Sequence, residues 1–213
     1  MTRAGTWGGK RVKGSIRTAL AALALGVFLL GVSGCGGFGG RGKADPAGKS
    51  GGDSLAAGDT ALAHGDRHEA ARLYLAALKS GADAAKVHTR MGDLYLGSGA
   101  YPQARGAYQE ALNNNPKFAP AMQGLGFALY FGGAKKQAAE ALTKALERDP
   151  SLSRAAALLG TMEAREGRPE AALAIYDKSL AAAFDPDVEN NRGIALMLLG
   201  RNEDAASAFR KAA

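Results

Sequence analysis

The sequence predicts an all-α chain wound as a solenoid of about five helix-turn-helix units, and three observations carry that prediction. The first is a period. Gly58, Gly92, Gly126 and Gly160 stand 34 residues apart, and Gly193 follows at 33, a self-similarity that marks stacked repeats. The second is punctuation inside the period: seven residues after each of these glycines stands another, at Gly65, Gly99, Gly133, Gly167 and Gly200. The third is an apolar pattern that follows the second glycine. Alanine recurs at Ala70, Ala104, Ala138, Ala172 and Ala205, then Tyr74, Tyr108, Leu142, Tyr176 and Phe209 four residues on, then Ala77, Ala111, Ala145, Ser179 and Ala212 three further. Offsets of three and four place these residues on one helical face. Signals for strands are essentially absent.

Each element has a physical reason. The units run over about 51–84, 85–118, 119–152, 153–185 and 186–213. In each, the first glycine lies inside helix A, where a side chain would hold helix B away. A glycine in mid-helix costs about 1 kcal/mol of propensity, so close packing is the expected compensation. The second glycine ends helix A in the left-handed conformation. Pro102 and Pro169 then open helix B near its first turn. The small alanines let the two helices approach, and the large residue at Tyr74 and its counterparts fills the gap towards the next unit. Pro116 and Pro150 close their units, while Ala82 stands at that place in the first. No unit buries its face alone, so stability comes from stacking. The last helix either closes the array by itself, with Glu203, Ser207, Arg210 and Lys211 outward and Ala205, Phe209 and Ala212 inward, or leaves an exposed end that docks onto a partner.

This pattern resembles the tetratricopeptide repeat, two antiparallel helices per unit, over residues 51–213. The resemblance implies a concave surface lined by helix A side chains. In the third unit these are Gln123, Phe127, Tyr130 and Phe131, and in the fifth Asn190, Ile194, Met197 and Leu198. The second unit contributes Lys86, Thr89, Asp93 and Leu96, and the fourth Arg154, Thr161 and Arg165. Chaperone-tail binders of this family use a Lys/Asn carboxylate clamp. Thr89 and Asp93 stand at those places, so capture of an acidic chain terminus is not expected. An apolar, aromatic-centred groove suits an amphipathic helix or an extended peptide with bulky anchors.

The first 34 residues read as an address. They carry Arg3, Lys10, Arg11, Lys13 and Arg17 and no acidic residue, which leaves 22 Lys and Arg against 20 Asp and Glu in the remainder of a chain of net charge +7. The basicity therefore belongs mostly to this segment, and a nucleic-acid partner is not expected. Residues 18–32 form an apolar run of signal-peptide length, short for a bilayer span. It ends in Val32-Ser33-Gly34-Cys35. This resembles the bacterial lipoprotein signal, which implies removal of residues 1–34 and a covalent diacylglyceryl group on Cys35, the one cysteine of the chain. Gly36 rather than aspartate after it implies the outer membrane, facing the periplasm. Residues 35–52 then form a tether, with glycine at eight of the seventeen positions from Gly36 to Gly52 and a reach of roughly 20–25 Å. A helical-repeat domain over 53–213 follows.

Several chemistries are excluded on the same terms. A single thiol forbids a disulfide framework or a cysteine-rich zinc site. Gly48-Lys49-Ser50 resembles the end of a phosphate-binding loop, but its first glycine would fall at Lys43 and no strand precedes it, so no nucleotide is expected. His64 and His68 lie across the Gly65-Asp66 turn rather than on one helical face, and His88 is alone, so no metal is expected. With no nucleophile elbow or paired carboxylates, the chain is not expected to be an enzyme or to hold a cofactor.

Lipid anchor, tether and repeats together imply an adaptor held on a membrane and acting through protein partners. The closer resemblance is to the TadD-type lipoproteins of Tad/Flp pilus assembly, whose last repeat carries Asp-Pro and then an Asn-Asn-x-Gly-x-Ala-Leu-x-Leu-x-Gly-Arg run. Here that stretch is Asp185-Pro186, then Asn190-Asn191-Arg192-Gly193-Ile194-Ala195-Leu196-Met197-Leu198-Leu199-Gly200-Arg201, with Arg192 where leucine is usual. The resemblance implies a role in positioning pilus secretion machinery. A type IV pilotin, which escorts secretin subunits, resembles the layout as well. The alternative from another class is a regulatory subunit of a cell-wall synthase or outer-membrane insertase.

Overall fold

The structure is a computed structural model and describes residues 50–213. Cys35, the apolar run before it and most of the tether lie outside the described residues. Among the described residues the chain forms ten helices: α1 (Gly51–Ala63), α2 (Arg67–Lys79), α3 (Ala84–Gly97), α4 (Tyr101–Asn114), α5 (Ala119–Phe131), α6 (Lys135–Arg148), α7 (Ser153–Arg165), α8 (Pro169–Ala182), α9 (Pro186–Leu198) and α10 (Asn202–Ala212). No strand occurs among them, and none of the helices is long and apolar enough to cross a membrane. Helices pair in order, odd-numbered A with even-numbered B, and each pair stacks on the next.

The turn from A to B is the same device five times. Gly65, Gly99, Gly133, Gly167 and Gly200 have φ of 80°, 72°, 87°, 77° and 73°, a region that a side chain disfavours. The residue after each glycine donates its N–H back across the turn, Asp66 to Ala61, Ala100 to Tyr95, Ala134 to Leu129, Arg168 to Glu163 and Arg201 to Leu196, at 2.9–3.0 Å. These bonds satisfy carbonyls that the helix end would otherwise orphan.

The turns from B to the next A differ, and the departure at Ala82 is explained by them. Asn115 and Asp149 are extended, with φ near −140°, as residues before Pro116 and Pro150 must be. The first unit lacks that proline and closes instead on Gly81, with φ 77°, and Ala82 N–H bonds to Ala77 O at 2.9 Å.

Packing centres on the first glycine of each unit. A methyl group added at Gly58, Gly92, Gly126 or Gly193 would lie 2.5–2.6 Å from the ring or branch of Tyr74, Tyr108, Leu142 or Phe209 respectively, and at Gly160 it would collide with Tyr176. The large residue of helix B therefore sits directly on the helix A backbone. Tyr74, Tyr108 and Leu142 are fully buried and Tyr176 nearly so. Tyr108 is enclosed from both sides, because a methyl at Gly124 of the following unit would strike the same ring.

One boundary moves. Gly51 and Gly52, placed by composition at the end of the tether, are the first residues of α1, and Ser50 caps that helix in a reciprocal bond with Asp53. Gly51 is buried, and a methyl there would lie 2.9 Å from both Ala82 Cα and Ser80 O. It is a packing glycine.

Candidate binding cleft

Helices α3, α5 and α7, three consecutive A helices, enclose a cleft of about 530 Å³ on the concave side. Its α3 wall is Thr89, Arg90, Asp93, Leu96 and Gly97, its α5 wall Pro120, Gln123, Gly124, Phe127 and Phe131; Arg154 of α7 and Tyr108 of α4 complete it.

Most of the polar groups are committed within the fold. Thr89 is buried and donates to its own helix at Ala85 O, 2.7 Å. Tyr108 Oη donates to Asp93 Oδ1 at 2.8 Å, as Tyr74 Oη does to Asp59 Oδ1 at 2.9 Å in the unit before. Burial, and then the neighbouring Asp93 carboxylate, pushes the Tyr108 hydroxyl well above the ordinary phenol range. Burial likewise raises the Asp93 carboxyl, against the opposing pull of Tyr108, Arg90 and Arg154. Arg90 spans two units, 3.0 Å from Asp59 Oδ1 and 3.5 Å from Asp93 Oδ2. These pairs are half-exposed and of the kind worth at most about 1 kcal/mol, so they orient the wall more than they stabilise it.

The α5 wall is aromatic. Phe127 is 9% exposed, and the Arg154 guanidinium lies over it, 5.0 Å from the ring centroid. Phe131 is 53% exposed. It stacks on Tyr101 at 5.8 Å between centroids and meets Tyr130 edge-on at 5.4 Å. Gln123 reaches the cleft with its amide oxygen Oε1 shielded from water and without a hydrogen-bond donor.

The residues implied by the repeat pattern thus fall in three places. Gln123, Phe127 and Phe131 line the cleft together. Tyr130, one residue from Phe131 on the same helix, is half-buried against the cluster of Leu129, Ala138 and Leu142 and does not line it. Asn190, Ile194 and Met197 stand on α9, away from this cleft, where Ile194, Met197 and Leu198 form an exposed apolar strip. Arg90, Pro120 and Gly124 line the cleft without having been singled out. Gly124 had a signal, since it is a second mid-helix glycine two residues before Gly126 and lies against Tyr108. Arg192 is neither buried nor loose: it pairs with Asp177 of α8 and with Glu189.

His64 caps the end of α1 while His68 lies in the first turn of α2, and both are exposed. Among the described residues no group of three His, Cys, Asp or Glu side chains is placed to hold a metal ion.

Comparison with known proteins agrees with this geometry. None of the curated proteins matches the chain. Among solved structures it is similar to PilF of Pseudomonas aeruginosa, with 20% identity over 76% of each chain and a TM-score of 0.68. It is similar to a thermophilic TPR protein of Thermus thermophilus, with 20% identity over 76% of this chain and 90% of that one and a TM-score of 0.61. It is also similar to MamA, with 24% identity over 73% of this chain and 91% of that one and a TM-score of 0.59. At such identities these likenesses speak for the fold alone. Two family models described as tetratricopeptide repeat match residues 55–123 and 96–162, together just over half of the sequence, and with the five stacked helix pairs they make this chain a member of the tetratricopeptide-repeat family.

Proposed function

We propose that this chain is a lipid-anchored adaptor that captures a protein partner in the cleft between α3, α5 and α7 and serves assembly of a Tad/Flp-type pilus secretion system. The observation that carries the binding part is Phe131: a large apolar ring, 53% exposed, in a cleft whose other lining rings, Phe127 and Tyr108, are buried. Exposed aromatics next to a concave site are the usual anchors of a protein interface. Anchoring rests on Val32-Ser33-Gly34-Cys35, and outer-membrane placement on Gly36.

The pilus part rests on the run from Asp185 to Arg201, and the fold supports weighing its residues unequally. Asp185 accepts from the N–H groups of Asp187 and Val188, capping α9. Pro186 opens that helix, Gly193 lies under Phe209, and Gly200 makes the left-handed turn. Any repeat of this family has use for those four. Asn190 and Leu198 match the run, are exposed and have no such task, so they are the residues of the run that favour a shared partner. The likeness to PilF is one of fold and is held in common with MamA and the Thermus protein, so it does not choose between a Tad adaptor and a pilotin.

The test is a photo-crosslinking residue at Phe131 of the full chain in cells, followed by mass spectrometry of the adduct. A secretin or pilus-assembly component joined at that position supports the proposal. A cell-wall synthase or barrel-insertion component in its place replaces the pilus reading with the regulatory one. Cys35→Ser is expected to shift the protein from the membrane to the soluble fraction, and retention on the membrane would remove the anchor from the proposal.

A further inference from the structure

We infer that the cleft selects a stretch of partner chain in which a carboxylate side chain lies next to a bulky apolar one. This rests on the reading of the cleft as a partner site and adds the chemistry of what enters it. Charge alternates along the concave wall: Asp59, Arg90, Asp93, Arg154. Arg90 is held from both sides, by Asp59 at 3.0 Å and Asp93 at 3.5 Å, and Asp93 also takes the Tyr108 hydroxyl. Arg154 ends the series. Among the described residues it lies over the Phe127 ring and its charge acts on Asp93 without forming an ion pair with it. A guanidinium over an aromatic face is steadied by the ring and keeps its N–H edge for an anion, which it grips with two parallel hydrogen bonds. The next member of the alternation is therefore a carboxylate from outside the chain.

One further feature fixes the form of the partner. Phe131 and Leu96 offer apolar surface at the same cleft. The carboxylate belongs to a side chain in mid-segment rather than to a chain end, since Thr89 and Asp93 stand where a clamp for a chain terminus would need Lys and Asn. A cationic partner is disfavoured because the cleft is lined by two arginines and one aspartate.

Short random segments displayed with both ends tethered, selected against the full chain in detergent and in parallel against Arg154→Gln, test this. Wild-type selection is expected to enrich Asp or Glu beside Phe, Leu, Met or Trp, and the Arg154→Gln selection to lose that enrichment. Synthesised with blocked ends, a selected segment is expected to bind about tenfold or more weakly when its Glu becomes Gln or when Arg154 becomes Gln, with little further loss when both are changed. Arg201→Gln, at the start of the last helix, is expected to leave binding unchanged. Circular dichroism melts establish that each variant is folded. Enrichment of basic residues, no enrichment at all, or equal binding by wild type and Arg154→Gln overturns the inference. The outcome is independent of client identity: a pilus component crosslinked at Phe131 with no such segment sinks the chemistry alone, and an acidic-apolar segment in a cell-wall synthase sinks the pilus assignment alone.

Discussion

The second and fifth units share one backbone plan and present opposite chemistry to the concave side. In the second, the helix B ring is Tyr108, and the helix A residue fifteen positions before it is Asp93, joined by a hydrogen bond. In the fifth the ring is Phe209 and the residue fifteen before it is Ile194. The other three units obey the same correspondence. Tyr74 bonds Asp59 and Tyr176 bonds Thr161 at 3.3 Å, whereas Leu142, which has no hydroxyl, is matched by Phe127. A buried hydroxyl without a partner is costly, so a ring that carries one demands a polar residue at the groove, and a ring without one permits an apolar residue. Part of the groove's chemistry is thus dictated from the core. Phe127 and Ile194 say less about a ligand than their place on helix A suggests, while Phe131, Met197 and Leu198 face no such demand and say more.

The comparison breaks most visibly at the glycines that hold these rings. Tyr108 is clamped between Gly92 and Gly124, so Gly124→Ala has no direction in which the ring can retreat. We expect a loss of about 3 kcal/mol, at the upper end for overpacking a filled core, measured by urea unfolding. Gly106→Ala is the contrast. It lies in α4, where an added methyl meets nothing within 4 Å, and it should gain about 1 kcal/mol from helix propensity alone. Equal effects at the two positions would mean that the rings are not packed as described.

A smaller effect sharpens the rule itself. Tyr108→Phe strands Asp93 without its hydroxyl donor and should cost about 1–2 kcal/mol. Asp93→Ile strands the Tyr108 hydroxyl and should cost a similar amount. The double variant copies the pair of the fifth unit and should cost less than the sum of the two by about 1 kcal/mol, as a double-mutant cycle reads coupling between touching side chains. Simple additivity would reduce the fifteen-residue correspondence to coincidence.

The period and the glycines were legible in the sequence because sterics leave them no substitute: a ring seated on a helix backbone forbids a methyl there, and a left-handed turn disfavours any Cβ. The fold followed from them. The groove was legible only in part. Tyr130 and Phe131 adjoin in sequence, but one residue turns a helix by about 100°, from 3.6 residues per turn, so one ring enters the core cluster while the other faces the cleft. The Asp59–Arg90 pair spans 31 residues and two units, and it appears only once the repeats are stacked in register. Composition counted Gly51 in the tether and the repeat period counted it in the first unit, because glycine serves a tether and a tight helix contact alike, and the backbone of Ala82 beside it tells which.

The finest test sets two aspartates against each other, since burial and capping drive them in opposite directions with pH. Burial raises the Asp93 carboxyl. Its folded pKa lies above the unfolded one, so ionised Asp93 weighs against folding at neutral pH, and stability should rise as pH falls through that folded value towards the unfolded one. At Asp185 the Ser153 hydroxyl first, and the N–H groups of Val188 and Asp187 after it, hold the carboxyl below its ordinary value against a smaller cost of desolvation. Stability from this cap is complete above the unfolded pKa, about 4 for aspartate, and is lost as pH falls through the folded value. Asp185→Ala should cost about 1 kcal/mol at neutral pH, the usual worth of an N-cap. Asp185→Asn keeps a capping oxygen and should cost a few tenths while removing the acid dependence. Melting curves of the three proteins between neutral and acid pH decide it. If Asp185→Asn loses stability on acidification as steeply as the wild type, the cap of α9 is not held by the charge of Asp185.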